Sequence, residues 1–193
     1  TILDGTGVGS EIGVEHILLG PDHLLFVLGL LLITVSTRKL IWAITAFTIA
    51  HSVTLALAVL GLLTLPSEPV EACIALSIVL LAREALTDSE SLSKRLPWLV
   101  AFVFGLLHGL GFAGALQEVG LPSDQLPAAL LSFNIGVEAG QLLFIWGVWQ
   151  CTQWVHVRSA AWGRSLRICT AYGMGVVAVY WVIERVGWVL SLA

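Results

Sequence analysis

The stretch Glu15-His16-Ile17-Leu18-Leu19-Gly20-Pro21-Asp22-His23 decides how this chain is read. It lies inside an apolar segment from Gly9 to Ile33. At a rise of about 1.5 Å per residue, that segment is long enough to cross the roughly 30 Å hydrocarbon core of a bilayer. Yet the stretch holds two histidines and two carboxylates. Each ionisable group at mid-bilayer costs about 2.5–3.5 kcal/mol even on a lenient insertion scale, so such groups need partners or a purpose. His16 and His23 are seven residues apart, as are Glu15 and Asp22. On one continuous helix that spacing is two turns along one face. Gly20-Pro21 predicts a kink between them, because proline lacks a backbone donor and crowds the preceding turn. Broken backbone at this depth is tolerated where it lines a cavity.

Outward from that stretch the composition agrees with a membrane setting. Of 193 residues, 58% are hydrophobic and 11% charged, against about 45–50% and about 25% in soluble domains. An ordinary soluble domain is excluded. Apolar segments run over 9–33, 40–63, 69–86, 97–116, 126–150 and 168–190, each near spanning length. The expected fold is therefore an all-α integral membrane protein, a single domain of six transmembrane helices over 1–193 with no room for a soluble domain. Short polar connections separate the segments, the last at about Trp154 to Arg167. Arg38, Lys39, Arg83, Lys94, Arg95, Arg158, Arg164 and Arg167 all fall on one side, in or beside alternate connections, leaving only Arg185 elsewhere. The positive-inside bias makes that side cytoplasmic and puts both termini outside, as in a multi-pass protein of a bacterial inner membrane. Trp42, Trp98, Trp154, Trp162 and Trp188 fall near segment ends, where amphipathic rings favour the headgroup zone. An outward N-terminus calls for export, so a signal peptide or an exported region is expected ahead of Thr1.

Partners follow from the same counts. Nine Lys and Arg and a net charge of −4 give no basic patch, which excludes nucleic acid. The bilayer and a metal ion are the expected partners, with room for a homo-oligomer. Cys73, Cys151 and Cys169 are dispersed in or beside apolar stretches and are expected to be free, buried thiols. The one internal echo, Gly13-Val14-Glu15 against Gly136-Val137-Glu138, does not pair the two halves of the chain and supports no repeat.

Helical rise places Asp22, His23, His51, His108 and Glu138 near one level, about 17–20 Å into their segments. His16 lies about 10 Å in, with Glu15 and Glu71 also nearer the outer side. Ser52, Asn134 and Gln141 are accessory candidates that could equally be interhelical hydrogen-bonding residues. Asn134, Glu138 and Gln141 recur at i, i+4 and i+7 and form one polar stripe. His108 and Glu138 each stand among glycines at four-residue spacing, a pattern that lets backbones approach closely. His156 falls in an inner connection and is expected to be solvated. Imidazole and carboxylate suit nickel, cobalt, zinc or iron, whereas one Met and no clustered Cys disfavour copper. There is no Walker-type phosphate loop. Lys39 and Lys94 lie at segment ends, which excludes a mid-membrane retinal Schiff base.

The run His16-x5-Asp22-His23 resembles the signature of the HupE/UreJ family, membrane proteins associated with hydrogenase and urease accessory genes and implicated in nickel uptake. Phe133-Asn134-Ile135-Gly136-Val137-Glu138 is similar to the family's second motif, Phe-His-x-x-x-Glu, with Asn134 where that motif has His. The stretches around His51-Ser52 and His108-Gly109 are similar too. The resemblance implies six spans and a metal-transport role. The expected function is a nickel or cobalt permease with a midplane metal site of His16, Asp22, His23, His51, His108 and Glu138. Accessory residues would be Glu15, Ser52, Glu71, Asn134 and Gln141. The alternative is a zinc-dependent intramembrane hydrolase acting on a lipid amide or ester, with Glu138 or Asp22 as general base. A non-transporting metal sensor or accessory subunit is a third reading. Transport is expected over catalysis, and no catalytic residue or organic cofactor is assigned. No G-x-S-x-G run accompanies the histidines, and Ser52 points about 100° away from His51 on a helix, so neither forms serine-protease machinery.

Overall fold

The computed structural model describes residues 5–63, 65–89, 91–111, 126–158 and 160–191. The described residues form helices and connections, with no strand among them. In chain order the helices are α1 (Gly5–Leu19), α2 (Pro21–Ile33), α3 (Thr37–Val59), α4 (Ser67–Leu86), α5 (Leu92–Arg95), α6 (Pro97–Gly111), α7 (Leu126–Arg158) and α8 (Ala160–Ser191).

The first expected span is two helices. A residue before proline is driven out of the helical region, and Gly20 takes φ −87°, ψ 96°. Its N–H still donates to the His16 carbonyl at 3.0 Å, closing α1. Pro21 opens α2, where its missing N–H costs nothing. The two helices meet at 74°. The kink expected at Gly20-Pro21 is thus a full break, and His16 and His23 belong to different helices.

Packing places α2 at the centre, touching α3, α4, α6, α7 and α8. Around it α1 pairs with α7, α3 with α6, and α4 with α8. Two of these pairs rest on glycine. A Cβ at Gly105 would meet the Phe47 carbonyl at 2.6 Å, and one at Gly109 would collide with the His51 carbonyl, so α6 lies backbone to backbone on α3. Gly13 and Gly136 bring α1 and α7 together in the same way, against the Phe133 and Ser10 carbonyls. This is the small-residue packing that membrane helices use in place of a hydrophobic drive. The matched positions show that α1 runs parallel to α7, and α3 to α6. By contrast α4 and α8 are antiparallel, joined by Glu71–Arg185 near one end and by Arg167 to the Ala85 carbonyl near the other. At the end of α3, Gly61 at φ 71° allows the Leu62 N–H to reach back to the Leu57 carbonyl at 2.9 Å, a turn that non-glycine residues rarely make.

Length and composition alone qualify three helices to cross a membrane: Thr37–Val59, Leu126–Gln153 and Gly163–Leu190. The bent α1–α2 pair qualifies as a fourth. The segments expected at 69–86 and 97–116 appear as α4, with charged residues toward both ends, and as the shorter apolar α6. Residues 112–116 lie outside the described residues. The connection expected at Trp154 to Arg167 is helical on both sides of residue 159, because it contains no proline and its polar residues are compatible with helix. The cysteines are free, as expected, but exposed rather than buried. In a bundle surrounded by lipid, apolar stretches face outward as well as inward, so apolar context does not imply burial.

The Glu71–Arg185 contact is a partly exposed ion pair, Nε to Oε2 at 3.3 Å, reinforced by Arg185 Nη1 donating to the Glu71 carbonyl at 2.9 Å. Pairs of this kind contribute about 1 kcal/mol or less. Glu71→Gln is therefore expected to lower the melting temperature of the detergent-solubilised protein by at most about 2–4 °C. A fall well beyond that would show that this pair carries more of the α4–α8 packing than its exposure implies.

Candidate metal centre

The break between α1 and α2 builds the site. His16 occupies the last turn of α1, and Asp22 and His23 the first turn of α2. A Cβ at Gly20 would stand 2.7 Å from the His16 carbonyl and 3.0 Å from His23 Nδ1, so only glycine lets the chain turn this closely beside the ring. From the other side α3 supplies His51 and the last turn of α6 supplies His108. The glycine contact at Gly109 fixes that pair of helices next to the ring of His51.

The rings meet around His23. Its centroid is 4.6 Å from His16, 4.9 Å from His108 and 5.8 Å from His51, while His16 and His51 are 5.9 Å apart. His23, His51 and His108 are 4%, 0% and 1% exposed, out of reach of the surrounding solvent. Phe47 and Phe26 close the cluster on the α2–α3 side, and Phe133 covers His16 and His51.

Two of the rings are held in one tautomer. His23 Nδ1 lies 3.1 Å from Asp22 Oδ1, which also accepts the His23 backbone N–H at 2.9 Å. His108 Nδ1 lies 2.9 Å from the Phe104 carbonyl oxygen. Carboxylate and carbonyl oxygens accept only, so each Nδ1 carries a proton, and in the neutral ring each Nε2 then carries a lone pair. Among the described residues both Nε2 atoms are buried and without a hydrogen-bond partner, and so are both nitrogens of His51. Buried imidazole nitrogens in native proteins are nearly always satisfied, so this concentration of them calls for an explanation. Carboxylate or carbonyl on one ring nitrogen with the other left free is also how metal-binding histidines are oriented. The rings meet edge to face, however, with interplanar angles of 67° and 65° around His23. Among the described residues no group of three or more His, Cys, Asp or Glu is arranged to hold a metal ion.

The remaining sequence candidates stand apart from the rings. Glu138 accepts from Thr45 Oγ1 at 2.7 Å and makes no ion pair with an imidazole. Gln141 Oε1 accepts from Thr48 Oγ1 at 3.3 Å, leaving its buried Nε2 without a partner. Asn134 Nδ2 donates to the Leu130 carbonyl at 2.7 Å, and its buried Oδ1 has no partner. Ser52 donates to the Thr48 carbonyl at 2.6 Å and is not bonded to His51. The polar stripe of α7 thus faces Thr45, Thr48 and Ser52 of α3. Ser52, Ala56 and Leu60 share a cavity of about 420 Å³ with Asn134, Leu130 and Leu126, which makes the two helices antiparallel. Glu15 is exposed and lies with Glu11 on a cavity of about 400 Å³ between α1 and α7. Glu71 is engaged by Arg185. The partners Thr45 and Thr48 were not singled out from sequence, although their spacing with Ser52 at i, i+3 and i+7 is a polar stripe of the same kind.

The profile described as HupE / UreJ protein matches residues 6–185. No curated protein and no solved structure matches the chain.

Proposed function

Because the chain belongs to the HupE/UreJ family, we propose that it is a membrane permease for a divalent transition-metal cation, nickel or cobalt, which passes through the imidazole cluster. The observation that carries this reading is the pair of locked histidines. His23 and His108 touch, and each offers an unpartnered, buried Nε2 lone pair in a place where nothing else satisfies it. Neutral imidazole is the donor that nickel and cobalt favour among the groups present. Asp22 supplies negative charge at the break and orients His23. The C-terminal end of α1 adds its partial negative charge beside the same rings, as the ends of broken helices do in transporters.

The ion in this reading is cargo. Transport requires binding favourable enough to enter and weak enough to leave, so a cluster whose rings must turn apart to admit an ion suits passage better than a closed cage does. Glu138, Gln141 and Asn134, on the α7 stripe, form a second polar track beside the rings. The helix directions fit six alternating crossings. First and fifth segments run parallel, second and fourth parallel, third and sixth antiparallel, and second and fifth antiparallel. The end holding Ala85, Lys94 and Arg167 gathers positive charge and would face the cytoplasm of a bacterial inner membrane. The hydrolytic alternative needs Glu138 or Asp22 as general base, whereas Glu138 accepts from Thr45 and Asp22 is engaged by His23, so the arrangement does not favour it.

The test is metal accumulation. Cells producing the chain should accumulate more nickel or cobalt, by elemental analysis, than cells carrying an empty vector, and Ser52→Ala should accumulate as much as wild type. Wild-type cells that match the empty vector for both metals would refute the proposal.

A further inference from the structure

The largest of the described cavities lies away from the imidazoles, between α2, α7 and α8, with a volume of about 990 Å³. Its walls are apolar along Leu28, Leu32, Leu143 and Phe144, and its polar lining includes Thr34 at the C-terminal end of α2 and Arg164 and Arg167 in the first turns of α8, with Thr152 and Thr170. Two features distinguish it from an ordinary lipid-facing surface. Thr34 is 9% exposed, and its hydroxyl has no hydrogen-bond partner although it lines the cavity. Arg164 has no ion-pair or hydrogen-bond partner among the described residues, whereas Arg167 also reaches the Ala85 carbonyl at 3.1 Å. Arg164 and the buried Thr34 hydroxyl therefore both line a largely apolar cleft. From Leu143 to Thr152 the α7 wall alone runs for about 14 Å.

We propose that this cleft binds one anionic phospholipid, with an acyl chain along the leucines and the headgroup phosphate received by Arg164 and the Thr34 hydroxyl. Guanidinium matches phosphate in charge and geometry. Basic pockets between helices at the cytoplasmic face hold acidic headgroups, and that leaflet is where anionic lipid is enriched. Gly147 lines the cleft beside open space, since a Cβ there would meet nothing within 4 Å.

The experiment is native mass spectrometry of the full chain released from detergent after incubation with phosphatidylglycerol or phosphatidylcholine of equal chain length. Wild type should retain one phosphatidylglycerol, about fivefold more than phosphatidylcholine, which is the preference one basic side chain near an anionic headgroup produces. Arg164→Gln should bring that ratio close to one. Gly147→Leu, whose Cβ meets nothing within 4 Å, extends a side chain from the cleft wall and should reduce retention of both lipids. Equal retention of the two lipids by wild type would overturn the proposal, as would a preference that survives Arg164→Gln or retention unchanged by Gly147→Leu. A dimer mass that Gly147→Leu abolishes, with no lipid retained by wild type, would assign the cleft to a second copy of the chain and overturn it as well.

Discussion

His23→Ala is expected to lower nickel or cobalt accumulation at least about tenfold at equal protein level. Removing even a group that only orients a metal-binding histidine typically costs about 10–100-fold in affinity or activity, and His23 is the ring that the other three surround. Asp22→Asn separates charge from orientation. The amide oxygen can still accept from the His23 backbone N–H and from Nδ1–H, so the negative charge is lost while the tautomer and the shape are kept. A fall of about tenfold is expected there too. His51→Ala and His108→Ala should follow His23→Ala. Glu138→Gln should fall less, because its described bond is to Thr45 and not to a ring. If Glu138→Gln abolishes accumulation and His23→Ala does not, the path runs along the α7 stripe instead.

The second large effect is structural. Gly109→Leu is expected to destabilise the protein by at least the upper part of the about 1–3 kcal/mol that overpacking usually costs. The obstacles at Gly109 are the Thr54 hydroxyl and the His51 backbone, whose carbonyl carbon lies 3.0 Å from a Cβ and cannot swing aside as a side chain can. Helices α3 and α6 would have to separate, which also parts His51 from His108. The melting temperature in detergent should fall by roughly 6–12 °C at the 2–4 °C per kcal/mol typical of chains this long, or folded protein should not be recovered. Gly173→Leu is the control, since a Cβ there meets nothing within 4 Å, and it should melt within about 2 °C of wild type. Equal melting of the two variants would mean that α3 and α6 are not in backbone contact.

What sequence made legible, and what it hid, divides along one physical line. Rise per residue orders side chains along a helix axis, so the shared level of His23, His51 and His108 could be reckoned from segment starts. It says nothing about which way a helix is turned, and so the contact of Glu138 with Thr45 could not be read from it. His16 was placed one step outside the others because a straight helix separates it from His23 by about 10 Å. The 74° bend brings their ring centroids to 4.6 Å. Gly20-Pro21 announced that a bend exists, but its size depends on what packs inside it. The glycines at 105 and 109 were readable as close packing, whereas their partner at Phe47 and His51 was not, since no local pattern names a partner. The exposed cysteines show the same limit: in a bilayer, apolar context marks a membrane helix without distinguishing its lipid face from its core. Membership in the family was legible from the Asp22-His23 run and the Glu138 motif, and the matched profile covers residues 6–185.

The most direct measurement is uptake of radiolabelled nickel, and separately cobalt, into sealed liposomes reconstituted with purified wild-type protein, His23→Ala or no protein. Time-dependent uptake by wild type, with His23→Ala reduced at least about tenfold toward the protein-free level, is the expected result. Wild-type vesicles that take up neither metal faster than protein-free vesicles, or that do so equally with His23→Ala, would contradict passage through the imidazole cluster.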